Sequence, residues 1–170
     1  MATSRLLKRW LTSVQTRFFG HKVGCRAGTY RLRVKGLEDR TLLSTVYAAN
    51  VRDLLSDIAF TNKVAGQNTI VLQGIAGVNQ FNLTAAVSPA PAEGATGLPE
   101  IAAGNQLTIE GQGALISRNT DMGTPAFRFF DVAAGGSLKL KNLTLANGKA
   151  YGAGVAAEGG AIYNQGTLVL

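Results

Sequence analysis

The 170 residues include one cysteine and one histidine, so few metal or redox sites are open to this chain. Cys25 has no second thiol with which to form an intramolecular disulfide or a cysteine-based zinc site. His21 has no second imidazole to complete a histidine-based site. We therefore predict no metal and no cofactor.

Long apolar runs are also missing. No stretch reaches the ~18 apolar residues that a membrane-spanning helix needs. A typical secretory signal has ~7–15 apolar residues after its basic start, and the sequence lacks such a run. The nearest approach is the shorter run at residues 42–49, where Ala48 and Ala49 are small enough to suit a processing site.

Acidic residues are scarce at the start of the chain. Residues 1–45 carry ten basic and two acidic side chains, a net charge of +8, whereas the other 125 residues carry seven basic and eight acidic ones, a net charge of −1. The pI near 9.9 therefore describes a basic tail and not a basic domain. Because no face after Arg40 combines basic with aromatic or base-reading side chains, we predict no nucleic-acid partner.

The basic tail has a helical pattern. Apolar residues recur there at three- and four-residue intervals, which places them on one helix face: Leu6, Leu7, Trp10, Leu11, Val14 and Phe18. A basic amphipathic helix can lie on an anionic membrane or act in targeting. We predict that residues 1–49 form a targeting leader, largely disordered or helical, and that any membrane contact is made through it.

A short motif lies near the end of this leader: Leu37-Glu38-Asp39-Arg40-Thr41-Leu42-Leu43-Ser44. It resembles the Leu-Glu-x-Arg-x-Leu-Leu-Ser amino-terminal motif of large planctomycete surface proteins, which usually has proline where this chain has Asp39. The resemblance implies a targeting role for six residues, namely Leu37, Glu38, Arg40, Leu42, Leu43 and Ser44. It also implies a secreted protein or a protein of the cell envelope.

The remaining residues, 50–170, begin with a helix signal and continue with short strands. Apolar spacing predicts a helix near residues 51–60, with Asn50 as its N-cap. Turn residues then separate predicted strands at 69–72, 81–84, 107–110, 114–117, 127–130, 138–141, 143–145, 161–163 and 166–170. A Leu-x-Leu/Ile pattern starts at Leu107, Leu138 and Leu168, with separations of 31 and 30 residues. This period is typical of a repeating, stacked architecture.

Asparagine and glycine occupy the predicted bends. Glycine permits backbone angles that other residues avoid, and asparagine tolerates the left-handed conformation and bonds nearby backbone. We predict structural turn or ladder roles, and no ligand contact, for Asn142, Asn147, Gly148, Gly160, Asn164 and Gly166.

Residues 101–170 resemble the right-handed parallel β-helix repeats of bacterial surface proteins, including the polymorphic outer-membrane and autotransporter-like families. The resemblance rests on two segments, 134–148 and 159–168. We therefore predict an all-β fold, a right-handed parallel β-helix with a capping helix before its first strand. Because the sequence stops inside a predicted strand, we expect a partial β-helix whose uncovered last strand favours self-association.

Some β-helix proteins cleave polysaccharides, a reaction that needs clustered acids. Here the acids stand apart in the predicted repeat: Glu110, Asp121, Asp131 and Glu158. Arg128, between Phe127 and Phe129, is either a substrate clamp or the outward residue of an alternating strand, and the pattern favours the second interpretation.

We predict a non-catalytic, exported envelope module with a structural or adhesive role. Cell-surface glycans or envelope proteins are the expected partners, and the segments at 85–100 and 146–160, the latter with Tyr151, are the expected contact loops. Two alternatives stay open, a carbohydrate-active β-helix enzyme and a membrane-surface peptide with a β-rich tail.

Overall fold

The computed structural model describes residues 43–64, 66–74, 78–87 and 93–170. It contains one α-helix, α1 at Val51–Thr61, and a 3-10 turn at Gly154–Ala157. The strands are β1 (Ser44–Ala48), β2 (Gly66–Leu72), β3 (Gln80–Leu83), β4 (Asn105–Arg118), β5 (Phe130–Val132), β6 (Ser137–Ala146), β7 (Ile162–Asn164) and β8 (Thr167–Val169).

Every named strand pair in the described part of the chain is parallel. Six strands form one sheet, in which β1, β2, β4, β6 and β8 follow one another and β3 pairs with β4 beside this path. The two remaining strands, β5 and β7, form a second, small sheet. The fold is therefore mixed, a six-stranded parallel sheet with a helix at its start.

The predicted fold class, an all-β right-handed parallel β-helix, is wrong. The described residues form a six-stranded parallel sheet combined with an α-helix, and the sheet is not solenoid-like. One reason is that the segments at 107–110 and 114–117, predicted as two strands, belong to the single fourteen-residue strand β4. Gln112 and Gly113, which look like a break in the sequence, have positive φ (52° and 79°) and make an irregularity inside the strand.

Two more segments differ from their prediction. The predicted strand at 127–130 begins only at Phe130, because Phe127 and Phe129 point into the core from irregular backbone. Residues 44–48, assigned to the leader, form strand β1. Of the two small residues suggested as a processing site, Ala48 is fully buried at the end of β1, and Ala49 is half-buried directly after it.

The register of the main sheet aligns one inward-facing position in each of the five successive strands β1, β2, β4, β6 and β8. Ser44 lies beside Asn68, which lies beside Leu107, followed by Leu138 and Leu168. Two residues further along, Val46, Ile70, Ile109 and Leu140 form the next inward row. Burial of these rows against four buried phenylalanines makes the core, and the phenylalanines are Phe81, Phe127, Phe129 and Phe130.

The helix prediction is confirmed, including its N-cap. Asn50 has extended backbone, and its Oδ1 accepts a hydrogen bond from the Asp53 N–H at 3.0 Å. Asp53 returns the contact, since its Oδ2 accepts from the Ala49 N–H at 3.2 Å and from the Asn50 amide at 2.9 Å. The apolar face of α1 then buries Leu54 and Ile58 completely against the sheet.

Buried asparagines join the end of α1 to the sheet. The amide of Asn68 on β2 donates to Oδ1 of Asn105 on β4 at 3.1 Å. The amide of Asn105 in turn donates to Oδ1 of Asn62 at 2.9 Å and to the Thr61 hydroxyl at 3.2 Å. Because Asn105 is 2 % exposed, these bonds replace water that its amide has lost.

We predict that Asn105→Ala lowers the free energy of unfolding by about 1–3 kcal/mol, because it leaves buried partners without a hydrogen bond. Urea unfolding of the parent and the variant measures the difference. Gln106→Ala, at the exposed neighbouring position, is the matched control and should change stability by less than about 0.5 kcal/mol. Equal effects of the two substitutions would contradict a special role for the asparagine network.

Candidate functional site

The six motif residues are only partly within the described chain. Leu37, Glu38, Arg40 and Leu42 lie outside the described residues. Leu43 precedes β1 and is 68 % exposed, and Ser44 is the first residue of β1, where it pairs with Asn68. Part of the motif is therefore continuous with the folded sheet.

The six turn residues occupy three different environments. Asn142 and Asn147 have φ of 47° and 66°, the left-handed conformation that asparagine tolerates. Asn164 ends β7, and its Oδ1 accepts a hydrogen bond from the Gly166 N–H at 3.2 Å. Gly166 has no positive φ, but a Cβ there would collide with the carbonyl oxygen of Gly136. Close approach of two backbones requires glycine at this position.

The remaining two glycines face each other. A Cβ on Gly148 would lie 2.7 Å from the carbonyl oxygen of Gly160 and 3.0 Å from the ring of Phe129. A Cβ on Gly160 would meet its nearest neighbour, the Gly148 carbonyl, at 3.8 Å. Only Gly148 therefore lacks room for a side chain.

We predict that Gly148→Ala destabilises the fold by about 1–3 kcal/mol, because the new methyl group overlaps backbone atoms that cannot move freely. Gly160→Ala, the matched control, should be neutral or slightly stabilising, since it restricts the unfolded chain without a collision. Thermal unfolding of both variants tests this pair. The prediction fails if Gly160→Ala is the more damaging substitution.

An apolar groove of about 520 Å³, here called the β6–β7 groove, opens on the described part of the chain. Its apolar lining consists of Leu140, Leu143, Leu145, Ala161, Ile162 and Leu170. Leu140 is buried, Leu143, Leu145 and Ile162 are half-buried, and Leu170 is 84 % exposed. Apolar side chains beside open solvent at this density are typical of a surface that binds another molecule.

Strand edges border the groove. In the described part of the chain β8 pairs only with β6, and β7 pairs only with β5. The unpaired side of such an edge strand presents backbone N–H and C=O groups to solvent. The groove and the β8 edge together offer apolar pockets and backbone hydrogen bonds, the two requirements for binding an extended segment.

Arg128 forms a second polar centre, but this centre is internal. Its side chain is 0 % exposed, so it is neither the outward residue nor the accessible clamp that the sequence allowed. Nη2 donates to the carbonyl oxygens of Glu93 and Ala156, the latter at 3.0 Å, and the guanidinium lies 4.8 Å from the ring centre of Tyr163. Arg128 therefore holds three separate segments together.

A glycine makes room for this arginine. A Cβ on Gly94 would overlap Nη2 of Arg128, and the φ of Gly94 is +104°. Among the described residues, Nε and Nη1 of Arg128 have no hydrogen-bond partner. The sequence signal for burial was the run Phe127-Arg128-Phe129-Phe130, in which three aromatic residues place the arginine in the core.

The charge of Arg128 acts on the buried carboxyl group of Asp131. Burial raises the pKa of Asp131 above 3.8, and the charges of Glu100 and Glu93 raise the same pKa further, while Arg128 opposes them. The other acids are held elsewhere: Glu110 pairs with Lys141 at 2.9 Å, and Asp121 accepts from the Asn119 amide at 2.9 Å. Glu110, Asp121 and Asp131 therefore lie in three different environments.

The described residues contain no group of three or more His, Cys, Asp or Glu placed to hold a metal ion. No helix within the same residues is long and apolar enough to cross a membrane. Of the two predicted contact loops, the segment at 146–160 is described in full, and its Tyr151 is 79 % exposed.

No protein family, curated protein or solved structure matches this chain. The likeness to planctomycete surface proteins therefore rests on the eight-residue motif alone.

We predict that the contribution of Asp131 to stability falls as the pH rises above 3.8, because the pKa of this carboxyl is raised in the folded state. The folded state holds the Asp131 proton more tightly than the unfolded state, so ionisation disfavours folding in this window. Asp131→Asn should flatten the fall, as measured by thermal unfolding at a series of pH values from 4 to 7. The exposed substitution Asp121→Asn controls for the loss of one charge. A parallel pair of curves for the parent and Asp131→Asn would contradict the assignment.

Proposed function

We propose that this chain is a non-catalytic structural or adhesive module, exported to the cell envelope or surface. It acts by binding envelope proteins or surface glycans at the β6–β7 groove and the adjoining β8 edge. The observation that carries the proposal is the combination of an apolar groove of about 520 Å³ with the unpaired side of a parallel strand. Extended segments bind at such edges through backbone hydrogen bonds and alternate side chains.

The acids support binding over catalysis. Glycoside cleavage needs two carboxyl groups that face one substrate. Here Asp131 is 8 % exposed beneath the surface, Glu110 is neutralised by Lys141, and Asp121 is bonded to Asn119. Catalysis would require these carboxyl groups to become exposed or to reorient. Binding at the β6–β7 groove requires no such rearrangement.

Export is the part of the proposal supported by sequence. The motif that ends with Leu43 and Ser44 resembles a targeting motif of surface proteins, and the folded sheet starts at Ser44. A targeting segment placed directly before the first strand would leave the fold intact on the outside of the cell.

The experiment is a titration of the labelled full chain onto isolated bacterial envelopes and immobilised acidic and neutral polysaccharides. We expect saturable binding that Thr144→Lys weakens by at least about tenfold, because an ammonium group is placed at the apolar groove. Leu145→Ser provides a second groove variant with no added charge. Met122→Lys, at a fully exposed position outside the groove, is the matched control and should bind as the parent does.

Two outcomes would overturn the proposal. One is binding that neither groove variant affects. The other is cleavage of a polysaccharide that is lost with Asp131→Ala, which would favour the carbohydrate-active enzyme in its place.

A further inference from the structure

The main sheet ends in two strands, β1 and β8, each of which has one strand partner within the described residues. All pairs between these strands are parallel, so β1 and β8 run in the same direction. If a second copy of the chain is moved along the stacking direction of the strands, its β1 lies beside β8 of the first copy and parallel to it. The two edges therefore agree in strand direction.

The backbone hydrogen-bonding groups of the two edges are also complementary. The N–H of Thr167 donates to Gly136 on the β6 side, so the next residue, Leu168, turns its backbone groups to the side of β8 that no described strand covers. The carbonyl of Ala48 accepts from Gln73 on the β2 side, so alternation turns the backbone of Thr45 to the side of β1 that no described strand covers. With Leu168 beside Ser44 of the second copy, the Leu168 carbonyl accepts from the Thr45 N–H.

The side chains fit the same register. The inward row that ends with Leu138 and Leu168 would continue to Ser44 of the second copy. The row of Ile109 and Leu140 would continue through Leu170 to Val46. Leu170 is 84 % exposed in the single chain and Val46 is half-buried, so pairing would cover both.

Helix α1 follows β1 directly and would approach the β6–β7 groove of the first copy. Its inner face already buries Leu54 and Ile58 against its own sheet. Its outer face carries Phe60, which is 48 % exposed, next to the exposed Ala59. Phe60 is therefore the large apolar side chain that α1 can still offer to this groove.

We propose that the β8 edge and the β6–β7 groove bind β1 and α1 of a second copy of this chain. The inference rests on the proposed function, because it assigns an occupant to the same surface. The two contacting surfaces differ, so the association is head to tail and each new copy leaves one edge free. Copies therefore add into open chains and do not stop at a dimer.

The experiment uses the full chain and two edge variants in sedimentation velocity over a concentration series. The parent should form species that grow with concentration. Thr45→Pro removes the outward N–H of β1 without touching the bonds to β2, and Leu170→Lys places a charge where Val46 would pack. Each variant alone should stay monomeric, while Met122→Lys should associate as the parent does.

A mixture of the two edge variants gives the decisive result. Thr45→Pro keeps an intact β8 edge, and Leu170→Lys keeps an intact β1 edge, so an equimolar mixture should form heterodimers and nothing larger. Circular dichroism of each variant checks that the fold is kept, and Leu170→Ser, which removes the leucine without adding a charge, replaces Leu170→Lys if that variant unfolds. A parent that stays monomeric, or a mixture that does, overturns the inference. If the parent is monomeric but still binds envelopes through the groove, the proposed function stands, and only the assignment of a second copy as the occupant is refuted.

Discussion

In-register parallel pairing is the constraint on which the rest of this structure depends. Because each strand repeats the register of its neighbour, every inward position faces a column of inward positions from Ser44 through Leu107 to Leu168. A column of aliphatic residues packs well, whereas a polar member must find a partner inside the core. Asn68 is such a member, and its amide bonds to Asn105 and to the Val64 carbonyl supply that partner.

The same constraint limits the loops. Strands about 4.8 Å apart leave little space between the segments that join them, so backbone passes close to backbone. Gly148 and Gly166 occur where a Cβ would strike a neighbouring carbonyl. Arg128 acts where strand pairing is sparse. It donates hydrogen bonds to the carbonyl oxygens of Glu93 and Ala156, which lie in loops that have few strand hydrogen bonds of their own. A buried guanidinium costs several kcal/mol in lost hydration, and carbonyl acceptors and the Tyr163 ring offset part of this cost.

Local patterns predicted local structure well and the overall arrangement poorly. The cap at Asn50 and the apolar spacing after it were sufficient for α1, and the Leu-x-Leu/Ile spacing identified positions that the sheet does pair, Leu107 with Leu138 and Leu138 with Leu168. The fold class failed because a bend and a break look alike in sequence: Gln112 and Gly113 bend β4 without ending it. Strand β1 was not predicted, because it directly follows a basic segment and was assigned to the leader. The groove could not be predicted, since Leu143 and Ile162 are distant in sequence and meet only through the sheets.

The binding affinity expected at the β6–β7 groove and the β8 edge follows from the same geometry. Each apolar side chain that becomes fully buried contributes about 1.5–3 kcal/mol, while association costs roughly 4–15 kcal/mol in lost freedom. A single leucine such as Leu170 is therefore too little, even with backbone hydrogen bonds that each add only about 1 kcal/mol. Binding becomes favourable when the strand edge and the groove are covered together, because one ordering cost is then shared by many contacts. A partner that covers both the β8 edge and the β6–β7 groove meets this condition, and a partner that covers only one of them does not.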